Sequence, residues 1–136
     1  MRYLLLIVVA LLASGSATAQ QGLFGLEDFS GVELYQRFCS SCHGDMGRGD
    51  GPVARTLTVP VPDLTQLYRR YGNRFPADEL RETIDGRNLV IAHGPRSMPV
   101  WGYEFWWEDG ADSAAEETAR ATITRLLEYI QSIQDI

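Results

Sequence analysis

The run Cys39-Ser40-Ser41-Cys42-His43 constrains this chain more than any other feature, because it gathers both of its cysteines into one C-x-x-C-H pentapeptide. That arrangement is the attachment sequence for c-type haem. Two thiols separated by two residues lie within one turn of chain and can form thioethers with the two haem vinyl groups. His43 then falls under the iron as its proximal ligand. A chain of 136 residues has room for one modest core, and a haem at its centre would supply much of the apolar contact area.

Other readings of the cysteine pair are weaker. A redox dithiol of the thioredoxin kind expects a βαβ pattern around it, and none is visible. A zinc site needs about four Cys/His ligands. Beyond Cys39, Cys42 and His43, the only other histidine is His93. A disulfide between cysteines this close in sequence is rare.

Residues 1–19 read as a secretory signal peptide. Arg2 gives a positive start, Tyr3 to Ala13 is apolar, and Ala17-Thr18-Ala19 is an A-x-A cleavage site. Cleavage after Ala19 leaves Gln20 at the new terminus. The apolar stretch is about half the ~20 residues that a spanning helix needs, so an uncleaved anchor is the weaker reading. No cysteine follows it to carry a lipid, and no later segment is apolar enough to span a bilayer. The expectation is export to a periplasm, a soluble mature chain, a leader over residues 20–29 and one domain over residues 30–136.

Charge narrows the partners. The formal net charge is −6, and loss of Arg2 with the signal makes it one unit more negative. There is no lysine. Phosphate contacts need a basic face, so nucleic acid is excluded as a partner. The distribution is uneven. Arg69, Arg70, Arg74, Arg81, Arg87 and Arg96 fall in one stretch; Glu104, Glu108, Asp109, Asp112, Glu116 and Glu117 follow with no basic residue among them. Such a dipole can orient encounter with a partner.

The pattern along the chain is helical and short-ranged. Ser30 and Glu33 form a capping box that opens a helix through Leu34, Tyr35 and Phe38 into the cysteine motif. Gly44, Gly47, Gly49 and Gly51 then break regular structure, and the loop runs on to Pro60 and Pro62. Asp63 caps a short helix ended by Gly72, and Pro76 starts another that stops at Gly86. Residues 87–109 read as one long irregular segment. Ser113 and Glu116 make a second capping box for the last helix, where Ile123, Leu126, Leu127, Ile130 and Ile133 form one apolar stripe. No strand-like alternation of useful length is present, so the predicted class is all-α.

The open face of a His43-bound iron needs a sixth ligand. Met46 lies three residues past His43, too close to reach the opposite face. Met98, in Ser97-Met98-Pro99-Val100-Trp101-Gly102, is followed by a stiffening proline in a segment free to wrap the haem edge. His93 is the competitor, and an open site is the third option. Met98 is the favoured ligand. Met/His ligation leaves no coordination position for a substrate, which favours an electron carrier over an enzyme.

These residues together resemble the class I c-type cytochromes, the bacterial mono-haem cytochrome c family, over most of the mature chain. Gly31 and Tyr35 precede Cys39 by eight and four residues, where that family places a small residue and an aromatic against an aromatic on the final helix; Tyr129 is similar to that partner. The Gly47-to-Pro52 run is similar to the loop after the haem motif, whose proline carbonyl accepts a hydrogen bond from the proximal histidine. Pro52 is the expected residue. Met98-Pro99-Val100-Trp101-Gly102 resembles the family's M-P-x-W-G distal loop.

The resemblance implies a cytochrome c fold, with short helices wrapped around one haem c held through Cys39 and Cys42. His43 and Met98 would be its iron ligands. It implies electron transfer with redox-partner proteins, a respiratory complex or a periplasmic dehydrogenase, including docking to a membrane complex. The alternative is a gas-binding or catalytic haem protein with an open or labile distal site. Two departures stand out. The lysines that ring the haem edge of mitochondrial cytochromes c are absent, and Tyr103, Phe105, Trp106 and Trp107 form an unusually aromatic cluster, for which core packing is the favoured reading and an exposed docking patch the other.

Overall fold

A computed structural model describes residues 25–87 and 98–135. The expected signal peptide and His93 lie outside the described residues. All regular structure within them is helical, as the all-α class requires. A 3-10 turn, Leu26–Asp28, leads into α1 (Gly31–Phe38) and the single turn α2 (Ser40–His43). After two further 3-10 turns, Ala54–Thr56 and Leu64–Gln66, come α3 (Leu67–Arg70), α4 (Ala77–Asp85), α5 (Trp101–Glu108) and α6 (Ser113–Ser132).

The ends of α1 form as the sequence dictates. Ser30 Oγ accepts from Glu33 N–H at 3.4 Å, and the Glu33 carboxylate accepts in return from Ser30 N–H at 2.8 Å. Two donors that the helix leaves unpaired at its start are thereby satisfied. The Ser30 hydroxyl also donates to the Glu33 carboxylate, and this bond first, with the one from Ser30 N–H, holds the carboxyl below its ordinary value.

The start of α6 differs from expectation by one residue. Its cap is Asp112, whose Oδ1 accepts from the N–H groups of Ala114 at 2.8 Å and Ala115 at 2.9 Å. A carboxylate at this position gains from the helix dipole as well as the hydrogen bonds, so Asp112 displaces Ser113. Glu116 is therefore free to pair elsewhere. The segment read as irregular also contains α5. Aromatic residues on several faces of this helix blur its periodicity in the sequence, and only the inward pair Trp101 and Phe105, stacked at 5.8 Å, betrays the helical spacing.

The core is the meeting of α1, α4 and α5 on α6. Leu34 and Tyr35 from α1, Ile84 from α4 and Phe105 from α5 are buried against Ile123, Leu126, Leu127 and Ile130. The stripe on α6 extends further back than its large residues suggested, because Ala115, Ala119 and Thr122 are buried too. Small side chains there let α5 approach closely.

Gly31 sets the crossing of α1 and α6. A Cβ at this position would run into the backbone carbonyl oxygen of Arg125 and lie 3.1 Å from Tyr129 Cβ. Tyr35, one turn on, packs its ring 5.0 Å from that of Tyr129. The obstruction is backbone, which cannot rotate away, so Gly31→Ala must push the two helices apart. A loss of about 1–3 kcal/mol is expected, the usual cost of overpacking. Thermal unfolding followed by circular dichroism measures it; an unchanged midpoint would mean the crossing is not tight.

Candidate haem-binding site

Cys39 ends α1 and begins α2, so the cysteine motif is one helical turn rigidly continued from a packed helix. Its N–H donates to Tyr35 O at 2.8 Å, and its own carbonyl accepts from His43 N–H at 2.9 Å. The following loop folds back over the same turn. The N–H groups of Gly49, Gly51 and Val53 donate to the carbonyls of His43, Cys42 and Ser41 at 2.8, 3.1 and 3.0 Å. The Tyr35 hydroxyl, buried and with its ionisation pushed up by burial first, donates to Gly44 O at 2.7 Å. The loop is thus anchored to α1 as well.

This return path corrects the expected role of Pro52. With Gly51 pressed against the carbonyls of Ser40 and Ser41, Pro52 lies on the outer side of the turn, exposed to solvent. The chain reaches the imidazole ten residues later. His43 Nδ1 lies 3.2 Å from the carbonyl oxygen of Pro62. A carbonyl only accepts, so Nδ1 carries the proton and Nε2 keeps its lone pair. Burial pushes the His43 imidazole below its ordinary value, and the bond to Pro62 offsets part of that. The net lowering favours a neutral ring, and the bond to Pro62 leaves Nε2 as the nitrogen ready for a metal.

Pro62 is itself held in place. The next residue, Asp63, caps the Leu64–Gln66 turn by accepting from Thr65 N–H at 2.9 Å. The tail of the chain ties that turn down: Gln134 Nε2 donates to Leu64 O at 2.7 Å and Asp135 N–H to Thr65 O at 2.9 Å. The fixed tautomer of His43 therefore depends on residues some 90 positions away in sequence.

Beside this turn lies a cavity of about 440 Å³. Cys39, Cys42 and His43 line one part of it, and Met98, Pro99 and Trp101 another, with Leu64, Leu67, Leu80, Ile84 and Ile130 between. Phe38, Trp101 and Phe105 back it with rings 5.2 to 5.8 Å apart. The size falls within the ~300–1,000 Å³ range of cofactor sites, and so does the predominance of apolar walls. Both cysteines are free thiols. Burial, with Cys42 nearby, pushes the Cys39 thiol up to about 12. An apolar slot with two thiols and an imidazole at one edge fits a haem. No group of three or more His, Cys, Asp or Glu among the described residues could hold a bare metal ion.

Of the three distal candidates, Met98 lines the cavity and packs on the core. Met46 does not; it is 64% exposed on the return loop. His93 lies outside the described residues. The aromatic cluster divides. Phe105 is buried and Trp106 half-buried, its Nε1 donating to Asp112 O at 3.1 Å. Tyr103 and Trp107 face solvent.

Sequence reasoning missed a charged junction beneath the Met98 segment. Arg87 Nε and Nη2 donate to the two Asp85 carboxylate oxygens at 2.7 and 2.8 Å. Nη1 and Nη2 donate to Glu116 at 2.6 and 3.0 Å. Hydrogen bonding to Arg87 holds the Glu116 carboxyl below its ordinary value. Gly102 rests on this junction, where a Cβ would lie 2.6 Å from Asp85 Cγ and 2.9 Å from Arg87 Nε. One guanidinium thus joins the end of α4, the start of α6 and, through Gly102, the start of α5. The i, i+2 spacing of Asp85 and Arg87 was the available signal, but nothing in sequence pairs them with Glu116.

Arg87→Ala leaves two carboxylates facing each other at that junction. The expected loss is about 1–3 kcal/mol, the cost of unpairing partly buried polar groups. Chemical denaturation of the variant beside Arg120→Ala, which removes an exposed i, i+3 pair, checks the assignment. Equal stabilities would mean the junction carries no strain-bearing role.

The family model for cytochrome c oxidase, cbb3-type, subunit III matches residues 28–116. The chain belongs to that family. Its domain is a c-type cytochrome, consistent with class I, and this cbb3-type cytochrome domain is one that carries haem c and transfers electrons. The match spans the cysteine motif, the return loop, Pro62 and Met98. No curated protein and no solved structure matches the chain.

Proposed function

We propose that this protein is a periplasmic electron carrier with one haem c, covalently held by Cys39 and Cys42 and ligated by His43 and Met98. It passes single electrons between larger redox complexes. The observation that carries the reading is the convergence of these four residues, 55 to 59 positions apart at the extremes, on one apolar cavity. Haem c supplies a one-electron iron couple there. The residues' part would be to fix it: the thiols would tether it, His43 in its Pro62-bound tautomer would offer Nε2, and Met98 would be the second ligand. Predominantly apolar walls would limit water at the iron and the rearrangement that each electron transfer demands.

Export follows from the signal-like residues 1–19. The family's name refers to a subunit of a respiratory oxidase, and a membrane-bound respiratory complex is accordingly the partner class we infer. Among the described residues no helix is long and apolar enough to cross a membrane.

Voltammetry of the matured protein tests the reading. A reversible one-electron wave, unchanged by oxygen, nitrite or peroxide, is the expected result. A catalytic current with any of these substrates would support the alternative of an open, reactive haem.

A further inference from the structure

We infer that the outer face of α5 is a docking surface for a partner presenting a lysine- or arginine-rich segment, and that it is separate from the mouth of the haem cavity. The inference extends the electron-carrier reading by naming the chemistry of the partner. Helix α5 has two unlike sides. Trp101 and Phe105 point to the cavity and core. On the opposite side, Tyr103 and Trp107, one turn apart, are 46% and 62% exposed with rings stacked at 6.2 Å. A tryptophan this exposed leaves much apolar surface in water, and stacking on a tyrosine makes the two rings one preformed platform. Such aromatic anchors are enriched at the centres of interfaces.

Charge identifies what they anchor. Glu104 and Glu108 follow the two rings at the same one-turn spacing, so a row of carboxylates runs beside the row of rings. Both glutamates are exposed, and neither pairs with a basic side chain among the described residues. Asp109 and Asp112 continue the same sign, and the next basic residue, Arg120, is already paired with Glu117 at 2.8 Å. A lysine or arginine placed here meets a carboxylate and an aromatic face together, gaining ion-pair and cation–π attraction at once. The cavity mouth has the opposite character: Arg70 lines it and Arg69 is exposed beside it in sequence, neither in an ion pair among the described residues. A basic partner is therefore repelled at the mouth and drawn to α5. Two rings and two carboxylates are smaller than a standard interface, which suits a transient, salt-sensitive contact.

The test measures affinity rather than electron flow, so its failure would leave the redox reading standing. The matured holoprotein is titrated by calorimetry, at low and at physiological salt, with lysine-rich mitochondrial cytochrome c as the basic probe. Trp107→Ala and the pair Glu104→Gln, Glu108→Gln are each expected to weaken binding at least tenfold. The pair Glu33→Gln, Glu128→Gln removes equal charge elsewhere and is expected to change it less than twofold. Equal weakening by the control pair would reduce the effect to net charge and overturn the inference, as would full affinity in Trp107→Ala. Sedimentation of the protein alone completes the test. A dimer that Trp107→Ala abolishes would assign the face to a second copy of this chain instead, and a monomer at all concentrations supports a separate partner.

Discussion

The Cys39→Ala, Cys42→Ala double variant is expected to lose all haem staining after denaturing electrophoresis. Both sulfurs stand on or beside the single turn α2 and open into the same cavity. Each thioether converts haem retention into an intramolecular event, so the first bond already holds the group at high effective concentration for the second. Single variants should keep a weaker stained band through the remaining cysteine. In the double variant, haem would be held only by the cavity and by the proposed ligands His43 and Met98, and denaturation would release it. Staining that survives the double substitution would contradict covalent attachment through these residues. Folding is also expected to suffer, since the cavity of about 440 Å³ sits between α1, α4, α5 and α6. An unfilled apolar cavity forfeits the contacts of its whole lining.

Met98→Ala is expected to lower the reduction potential by on the order of a hundred millivolts or more, within the ~0.8 V range that axial ligands command. A thioether favours the reduced iron, and an alanine offers no donor in its place. The same change opens the distal position, so carbon monoxide should bind the variant and not the parent. Half-burial of Met98 puts the accompanying loss of stability near the lower end of the usual range for Met→Ala, about 2 kcal/mol. Met46→Ala is the control, since that side chain projects into solvent. If Met98→Ala matches the parent in spectrum and potential, the ligand is another residue, with His93 first in line.

Where the sequence was readable, local chemistry and tertiary structure agreed. The box at Ser30 and Glu33 and the stripe on α6 follow from spacing, while the packing of Gly31 and Tyr35 on Tyr129 follows from the family resemblance; each meets its expected partner. The misses share a physical cause. Pro52 was the expected acceptor, but the backbone path of the loop turns it outward and brings the carbonyl of Pro62, nineteen residues past His43, to the ring instead. The helix α5 was hidden because its outer side is as aromatic as its inner one, erasing the contrast on which periodicity depends. Glu116 was assigned to a cap because caps are local, whereas its partner Arg87 lies 29 residues away. The motif and the Met-Pro segment pointed to residues that line one cavity; the groups that orient them come from long-range contacts, which the sequence does not rank.

The measurement closest to the central claim is the visible spectrum of the reduced, matured protein before and after adding carbon monoxide. The expected result is a low-spin c-type spectrum that carbon monoxide leaves unchanged, because the proposed ligands His43 and Met98 would leave no open position on the iron. A clear shift on adding the gas would mean an open or weakly held distal face, and would contradict the assignment of this protein as a closed electron carrier.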